Sequence, residues 1–135
     1  MQTFLPYQDF AKSLDCLDKK RCLKQAVEAH QLIKGLQNPE TFGWRHHPAF
    51  KMWVDYEDAL TNYYNICLRI NKEKHKINFV KLHELPEKTF WFYPEWLSKE
   101  ALHNSHRSNL LRKDKVFYSK YSWEVPDNLP YYWPT

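Results

Sequence analysis

Two glycines, Gly35 and Gly43, stand in a chain of 135 residues that also contains eight prolines. An all-β fold of this length needs many tight turns, and such turns need residues that tolerate positive φ. The shortage of glycine therefore disfavours a β fold, and it excludes a glycine-rich phosphate-binding loop. At this length we expect one domain, residues 1–135, with a single core.

Periodic apolar residues predict three long helices, at 13–36, 49–75 and 98–121. The segment between the second and third helices is rich in aromatic residues and is interrupted by prolines. The tail after residue 121 contains three prolines and cannot be a long helix. The predicted fold is therefore all-α: a compact three-helix domain with aromatic-rich loops and an extended C-terminal tail.

The first predicted helix has a candidate core-facing stripe, formed by Leu23, Val27, His30 and Ile33. Gly35 follows this stripe, at a position that favours the end of a helix. The stripe predicts that these four side chains face the core.

One stretch of this helix, KKRCLKQAVEAHQLIKGL (19–36), has five Lys or Arg residues but a single acid, Glu28. Helical spacing places Arg21, Lys24, Glu28 and Gln31 on one face. One interpretation is an ordinary Lys24–Glu28 surface pair, worth about 0.3 kcal/mol. The alternative is a carboxylate among phosphate-binding cations that stabilises a developing cation or moves a proton.

The net charge of +4 comes from 20 basic and 16 acidic residues, and it is concentrated in the segment 106–120. That segment has five Lys or Arg residues and one Asp. A solvated helix face is one explanation, but a local basic cluster on a neutral body favours a polyanion-binding face. We expect outward-facing side chains at His106, Arg107, Arg112, Lys113 and Lys115, with added hydrogen-bond donors at Ser105, Ser108 and Asn109.

The segment GWRHHPAFKMW (43–53) places cations beside aromatic rings. Nucleic-acid sites use such rings to stack bases and such cations to hold phosphates. The alternative is that the tryptophans are core residues and that Arg45 is solvated. Adjacent histidines do not share a face of a helix or a strand, so His46 and His47 do not predict a metal site.

The three cysteines, Cys16, Cys22 and Cys67, are an odd number, and no two have the two-residue spacing of zinc or redox motifs. They indicate buried, reduced thiols. We find no signal-peptide pattern and no apolar run long enough to span a membrane. The sequence thus predicts a cytoplasmic or nucleoid-associated monomer that is not secreted.

Several segments of the chain together resemble a known family. MQTFLPY, VEA, GWRHHP, SHRSNLLRKD and DNLPYYWP occur in this order and cover most of the sequence. They are similar to segments of the pyrimidine dimer DNA glycosylases, the small all-α group that includes phage endonuclease V. The resemblance is closest to an uncharacterised subgroup whose members begin like MQTFLPY.

This resemblance implies a DNA repair glycosylase with AP lyase activity and no metal or organic cofactor. Its nucleophile would be the chain's N-terminal amine, assisted by Glu28. Gln2 is bulky, so we expect Met1 to be retained and to supply that amine. The sequence departs from its relatives at Arg21, where histidine is frequent, and at Val27, where arginine is common.

The nucleophile implied by the resemblance is chemically reasonable. An α-amino group ordinarily has a pKa of about 7.7–8.0, against about 10.4 for lysine. Roughly a tenth of α-amino groups are therefore uncharged at neutral pH, whereas the uncharged fraction of lysines is below about one in a hundred. Attack on the sugar of a damaged pyrimidine nucleotide would give a Schiff base, and elimination would then cut the strand.

The expected partner is damaged double-stranded DNA, and no membrane is involved. The expected DNA contacts are Arg21, Lys24, Gln25, Trp44, Arg45, His46, His47, His106, Arg107, Asn109, Arg112, Lys113 and Lys115. Three alternatives remain open: a non-catalytic damage-recognition module, a glycosylase for another modified base, and a protein-interaction module without DNA affinity.

Overall fold

Three long helices form the framework of the molecule, and shorter helical turns connect them. The structure is a computed structural model that describes residues 1–134, so Thr135 at the end of the predicted tail lies outside it. The helices are α1 (Phe10–Asp15), α2 (Lys19–Gln37), α3 (Pro48–Lys51), α4 (Glu57–Glu73), α5 (Glu100–Lys113) and α6 (Lys115–Tyr118), with 3₁₀ turns at Glu95–Ser98 and Ser119–Tyr121. Residues 1–134 contain no strand, which confirms the all-α prediction.

Each predicted long helix is interrupted once. The segment 13–36 divides because α1 ends at Asp15, Leu17 turns fully into the core, and Asp18 takes an extended conformation before α2. The segment 49–75 divides at Tyr56, whose backbone is not helical. The segment 98–121 divides at Asp114, whose side chain caps the amide of Phe117.

The predicted core-facing stripe of α2 is confirmed at Ile33, which is buried, but is wrong in register at Leu23 and Val27. Leu23 and Val27 are 38% and 37% exposed, whereas the buried face consists mainly of small residues. This face is formed by Cys22, Gln25, Ala26, Ala29, Leu32, Ile33 and Gly35. Small side chains let α4 pack closely along α2, so the larger apolar residues of α2 are not needed between the helices.

The three cysteines are buried and unpaired, which confirms their prediction as free thiols. Burial, followed by the negative charge of Asp15, raises the pKa of Cys16 to about 12. Cys67 donates from its Sγ to the carbonyl oxygen of Cys22 at 3.3 Å and so joins α4 to α2. None of the helices in residues 1–134 is long and apolar enough to cross a membrane.

The C-terminal tail is fastened to α5 by short polar side chains. Ser108 Oγ accepts from the amide of Leu129 at 2.9 Å, and Ser105 Oγ accepts from the amide of Tyr132 at 3.1 Å. Asn109 Nδ2 donates to the carbonyl oxygen of Leu129 at 3.1 Å. The aromatic residues of the tail therefore lie against the helical core at fixed positions.

Gly35 does not end α2, because the helix continues to Gln37. Glycine is needed here because the Phe42 ring packs directly against the helix backbone. A Cβ atom at Gly35 would lie 2.5–2.7 Å from three ring atoms of Phe42. The Phe42 ring in turn packs on Phe50, with the ring centroids 5.1 Å apart. This contact fixes the loop between α2 and α3. A Cβ atom at Gly43, in that loop, would meet no atom within 4 Å.

We predict opposite outcomes for alanine at the two glycines. Gly35→Ala should destabilise the fold, because overpacking costs about 1–3 kcal/mol and removing a helical glycine returns only about 1 kcal/mol. Gly43→Ala should be neutral or slightly stabilising. Denaturant unfolding of both variants measures the difference, and equal stabilities would contradict the Phe42 contact.

Candidate active site and nucleic-acid interface

The first residues of the chain form a non-helical segment that is buried from Gln2 to Pro6. Gln25 of α2 holds this segment with its side-chain amide. Its Oε1 accepts from the amide of Phe4 at 2.7 Å, and its Nε2 donates to the carbonyl oxygen of Gln2 at 2.9 Å. Tyr63 OH shares its one proton between two acceptors, Gln25 Oε1 at 2.6 Å and the carbonyl oxygen of Phe4 at 2.9 Å. Buried backbone groups that lack a helix or sheet partner are thus satisfied by side chains.

Two histidines of α5 hold the next residue, Leu5. His106 Nδ1 accepts from the Leu5 amide at 2.8 Å. His103 lies with Nδ1 2.7 Å from the Leu5 carbonyl oxygen and Nε2 2.7 Å from that of Leu97, and so joins these two segments. The N-terminal segment is therefore fixed from α2, α4 and α5 at once.

This anchoring brings the start of the chain to Glu28. The amide of Gln2 donates to Glu28 Oε2 at 3.4 Å, and Gln25 Nε2 donates to the same oxygen at 3.2 Å. The other oxygen, Oε1, lies 3.9 Å from Lys24 Nζ, and the Glu28 side chain keeps 13% of its surface exposed. The carboxylate is thus held in place one residue from the α-amino group and remains open to a ligand.

His47 is near enough to the Met1 α-amino group and to Glu28 for their charges to shift its pKa. Its pKa is lowered first by burial and then by the positive charge of the Met1 α-amino group, whereas Glu28 raises it. The Ala49 amide donates to His47 Nδ1 at 3.0 Å, so the neutral ring carries its proton on Nε2. Met1, Glu28 and His47 therefore form one cluster, although they come from three separate parts of the sequence.

Cations crowd around Glu28. The pKa of Lys113 is held below its ordinary value first by burial and then by the positive charges of Arg21, Lys24 and Arg112, while Glu28 opposes the shift. Arg21 is partly neutralised by Asp18 at 3.3 Å, but Lys24 is 70% exposed. Cations crowded together in this way favour the binding of an anion such as phosphate.

An aromatic wall, formed by Trp44, His47, Trp133 and Tyr131, borders the cluster. Consecutive ring centroids in this series are 5.5, 5.7 and 5.5 Å apart. Burial raises the pKa of Tyr131, and the charges of Arg112, Glu28 and Arg21 also act on that hydroxyl. Sequence reasoning missed Tyr131 and Trp133 as site residues, although the aromatic segment PYYWP (130–134) was the available signal.

Three predicted DNA contacts are wrong, because the side chains are buried and satisfy the protein's own backbone. Gln25 is 2% exposed and binds the N-terminal segment. His106 is fully buried and accepts from Leu5, so the expectation that it faces outward fails. Asn109 is 1% exposed and holds the tail, as Ser105 and Ser108 do.

The remaining predicted contacts stay predictions. Arg45 and His46 are exposed, and Arg45 donates to the carbonyl oxygen of Phe42 at 3.0 Å. Arg107 binds Glu100 at 2.9 Å and lies over the Tyr7 ring, away from the interactions of Glu28 described above. Lys115 pairs with Asp127 at 3.4 Å. Residues 1–134 contain no group of three or more His, Cys, Asp or Glu side chains placed to hold a metal ion.

Crowded cations beside aromatic rings, on a small helical domain, are typical of a nucleic-acid-binding protein. Comparison with known proteins shows which class of nucleic-acid-binding protein this is. Residues 1–79 match the family model described as pyrimidine dimer DNA glycosylase, and the chain therefore belongs to that family. No curated protein and no solved structure gives a significant match. Family membership makes the chain a DNA repair enzyme of the glycosylase class, with DNA as its substrate.

We predict that Gln25→Ala strongly destabilises the fold. The change leaves the Phe4 amide, the Gln2 carbonyl and one Tyr63 hydrogen bond without their partner, for a loss on the order of 3 kcal/mol. Gln31→Ala, on the exposed side of the same helix, should change stability by less than about 0.5 kcal/mol. Urea unfolding of both variants is the measurement, and similar losses would contradict the anchoring role.

We also predict acid sensitivity through His106. Burial, and then the charge of His103, lowers the pKa of His106 from 6.5 to about 3. Between these values the unfolded chain binds a proton that the folded chain excludes, so stability falls as the pH drops from 6.5 towards 3. Protonation of His106 adds up to about 1.4 kcal/mol per pH unit to the change of the free energy of unfolding with pH.

The substitution His106→Asn isolates this contribution. The Asn carbonyl can accept from Leu5 but does not titrate near neutral pH. Unfolding measured between pH 7 and 4 should show a shallower dependence on pH for the variant, with a residual slope from His30, His47 and His75, whose pKa values are also lowered. If the free energy of unfolding of the variant changes with pH as steeply as that of the wild type, the pKa of His106 is not lowered in the folded protein.

Proposed function

We propose that the protein removes dimerised pyrimidines from double-stranded DNA and then cuts the strand as an AP lyase, with the Met1 α-amino group as nucleophile and Glu28 as its carboxylate partner. The observation that carries this proposal is the hydrogen bond of 3.4 Å between the Gln2 amide and Glu28 Oε2. It supports a reaction site shared by the first residue and the single acid of α2. The influence of both groups on His47 supports the same conclusion.

The proposed reaction begins with the uncharged amine. Its nitrogen forms a bond to C1′ of the damaged nucleotide, and the glycosidic bond breaks with its electron pair leaving on the base, which takes up a proton. While the bond to the base breaks, positive charge develops on the sugar, and a carboxylate on the same face stabilises it. The attached nitrogen then loses a proton, and O4′ takes one up as its bond to C1′ breaks. Ring opening gives a Schiff base between the amine and C1′.

Strand cleavage follows from the same intermediate. A proton leaves C2′, the C3′–oxygen bond breaks, and the 3′ phosphate departs with the electron pair. Glu28 is suited to move that proton, since it is partly exposed and one of its oxygens has only the distant Lys24 as a partner. Water then hydrolyses the Schiff base and frees the amine. The chain's own residues supply each of these roles.

Binding of DNA is proposed to depend on the cation cluster of Arg21, Lys24, Arg112 and Lys113. Its charges would hold phosphates on either side of the nucleotide that is turned towards Met1. A damaged or distorted base costs less to unstack than a sound one, which supplies part of the selectivity.

We predict that Glu28→Gln lowers cleavage of dimer-containing duplex DNA by roughly 10²–10⁴-fold, the range for loss of an acid–base group. DNA binding should persist, with its usual dependence on salt. Glu40→Gln, which removes an exposed acid just after α2, is the matched control and should cleave normally.

Borohydride trapping on an abasic duplex tests the nucleophile. Wild-type protein should form a covalent adduct whose mass spectrum places DNA on residue 1, and extension of the chain before Met1 should abolish it. An adduct on a lysine would disprove the assignment of the amine. Binding without any adduct or cleavage would instead favour a non-catalytic damage-recognition module.

A further inference from the structure

Residues 90–93 expose a row of aromatic side chains. Phe90 and Phe92 are 71% and 73% exposed, and their rings meet edge-on with the centroids 5.1 Å apart. Tyr93 is 54% exposed, and Val54, from the turn before α4, is 51% exposed. A single exposed apolar side chain is ordinary, whereas a cluster of them marks a surface that binds another molecule.

The rings are exposed although the backbone on both sides of them is anchored. Before them, Asn65 exchanges two hydrogen bonds of 2.9 Å with the backbone of Leu85. After them, the buried Trp96 donates from Nε1 to the carbonyl oxygen of Met52 at 2.9 Å. The exposure of the rings is therefore a property of the folded surface, and a partner meets a preformed face.

A groove of about 420 Å³ lies between these rings and the start of α4. Its apolar walls include Val54, Phe90 and Phe92, and its carboxylates are Asp55, Glu57 and Asp58; we call this surface the acidic groove. No Lys, Arg or His side chain lines it, and within residues 1–134 none of the three acids belongs to an ion pair. Glu57 and Asp58 favour the start of α4, but their charges remain without a cation.

The same chemistry continues along the segment. A cavity of about 570 Å³ next to Tyr93 is lined by the apolar side chains of Phe10 and Leu97 and by the carboxylates of Asp9 and Glu95. This cavity also has no Lys, Arg or His side chain in its lining. A protein whose net charge is +4 thus carries an acidic aromatic face that extends over two adjoining cavities.

The charge of this face selects the class of its partner. Carboxylates repel phosphates, so neither DNA nor an anionic lipid surface fits the face. The aromatic row also lies outside residues 1–79, which match the family model. A polypeptide fits, because its lysine or arginine side chains can meet the carboxylates while its apolar side chains enter the cavities. Cations of this kind are also attracted to the faces of aromatic rings.

We propose that the acidic groove and the adjoining cavity bind a segment of another protein in which lysine or arginine stands next to large apolar side chains. The face contains none of the residues that we assign to the reaction, so this interaction does not rest on the proposed function. It gives the molecule a protein-binding surface that is separate from its cation cluster.

A phage-displayed library of short random peptides tests the chemistry of the partner. The library is selected in parallel on wild-type protein and on the double variant Phe90→Ser/Phe92→Ser, and thermal melting checks that the variant is folded. Peptides recovered only on wild-type protein should be rich in lysine or arginine beside tryptophan, phenylalanine or leucine. Equal recovery on both proteins, no enrichment at all, or recovered peptides without cations would overturn the proposal.

Titration of one recovered peptide measures the contribution of charge. Asp55→Asn/Glu57→Gln should weaken binding by roughly three- to tenfold, as expected for two exposed ion pairs. Glu40→Gln, at an exposed acid elsewhere, and Val80→Ala, at an 87% exposed residue outside both cavities, are the matched controls and should bind like wild type. If the acid variant binds as tightly as wild type, carboxylates do not select the partner and the proposal fails.

Two further measurements exclude other occupants of the face. Sedimentation velocity should give the same monomeric species for wild type and for Phe90→Ser/Phe92→Ser. A dimer that only the wild type forms would place a second copy on the face and overturn the proposal. The variant should also keep the wild-type Kd for duplex DNA at equal salt. A weaker Kd would make the rings a DNA contact and would likewise overturn it.

Discussion

The side-chain amide of Gln25 is the interaction on which the rest of the structure depends. A non-helical segment can enter a helical core only if its backbone groups find partners there, and Gln25 provides one for Gln2 and one for Phe4. The same amide donates to Glu28, so one side chain joins the core to the carboxylate. The stability of the domain and the position of its first residue are consequently coupled.

The polar residues of α5 likewise bind two separate parts of the chain, the N-terminal segment and the C-terminal tail. His103 and His106 reach inwards to Leu5, while Ser108 and Asn109 reach the tail. The family match ends at residue 79, and the proposed reacting groups, Met1 and Glu28, lie within the matched part. The residues after 79 complete the site around them. Lys113 and the tail aromatics come from this later region, and Tyr131 packs near the Phe4 ring of the N-terminal segment, with the centroids 6.4 Å apart.

The sequence predicted the helical class and the helix that carries Glu28, because these depend on local spacing and composition. It did not distinguish a polar side chain that binds DNA from one that satisfies buried backbone. Gln25, His106 and Asn109 have the residue types of DNA contacts, yet their partners are 21, 101 and 20 positions away. The register of α2 was missed because a face of alanine and cysteine has little periodic signal beside Leu23 and Val27.

The anchoring of Leu5 by α5 has a consequence for biosynthesis. The first residues leave the ribosome long before His103 and His106, which follow Leu5 by 98 and 101 positions. Contacts of such high sequence separation form late, because a long loop must close first. Leu5 therefore stays without its two histidine partners until α5 has been made. Chains that end before α5 would be expected to hold the N-terminal segment only through α2 and α4.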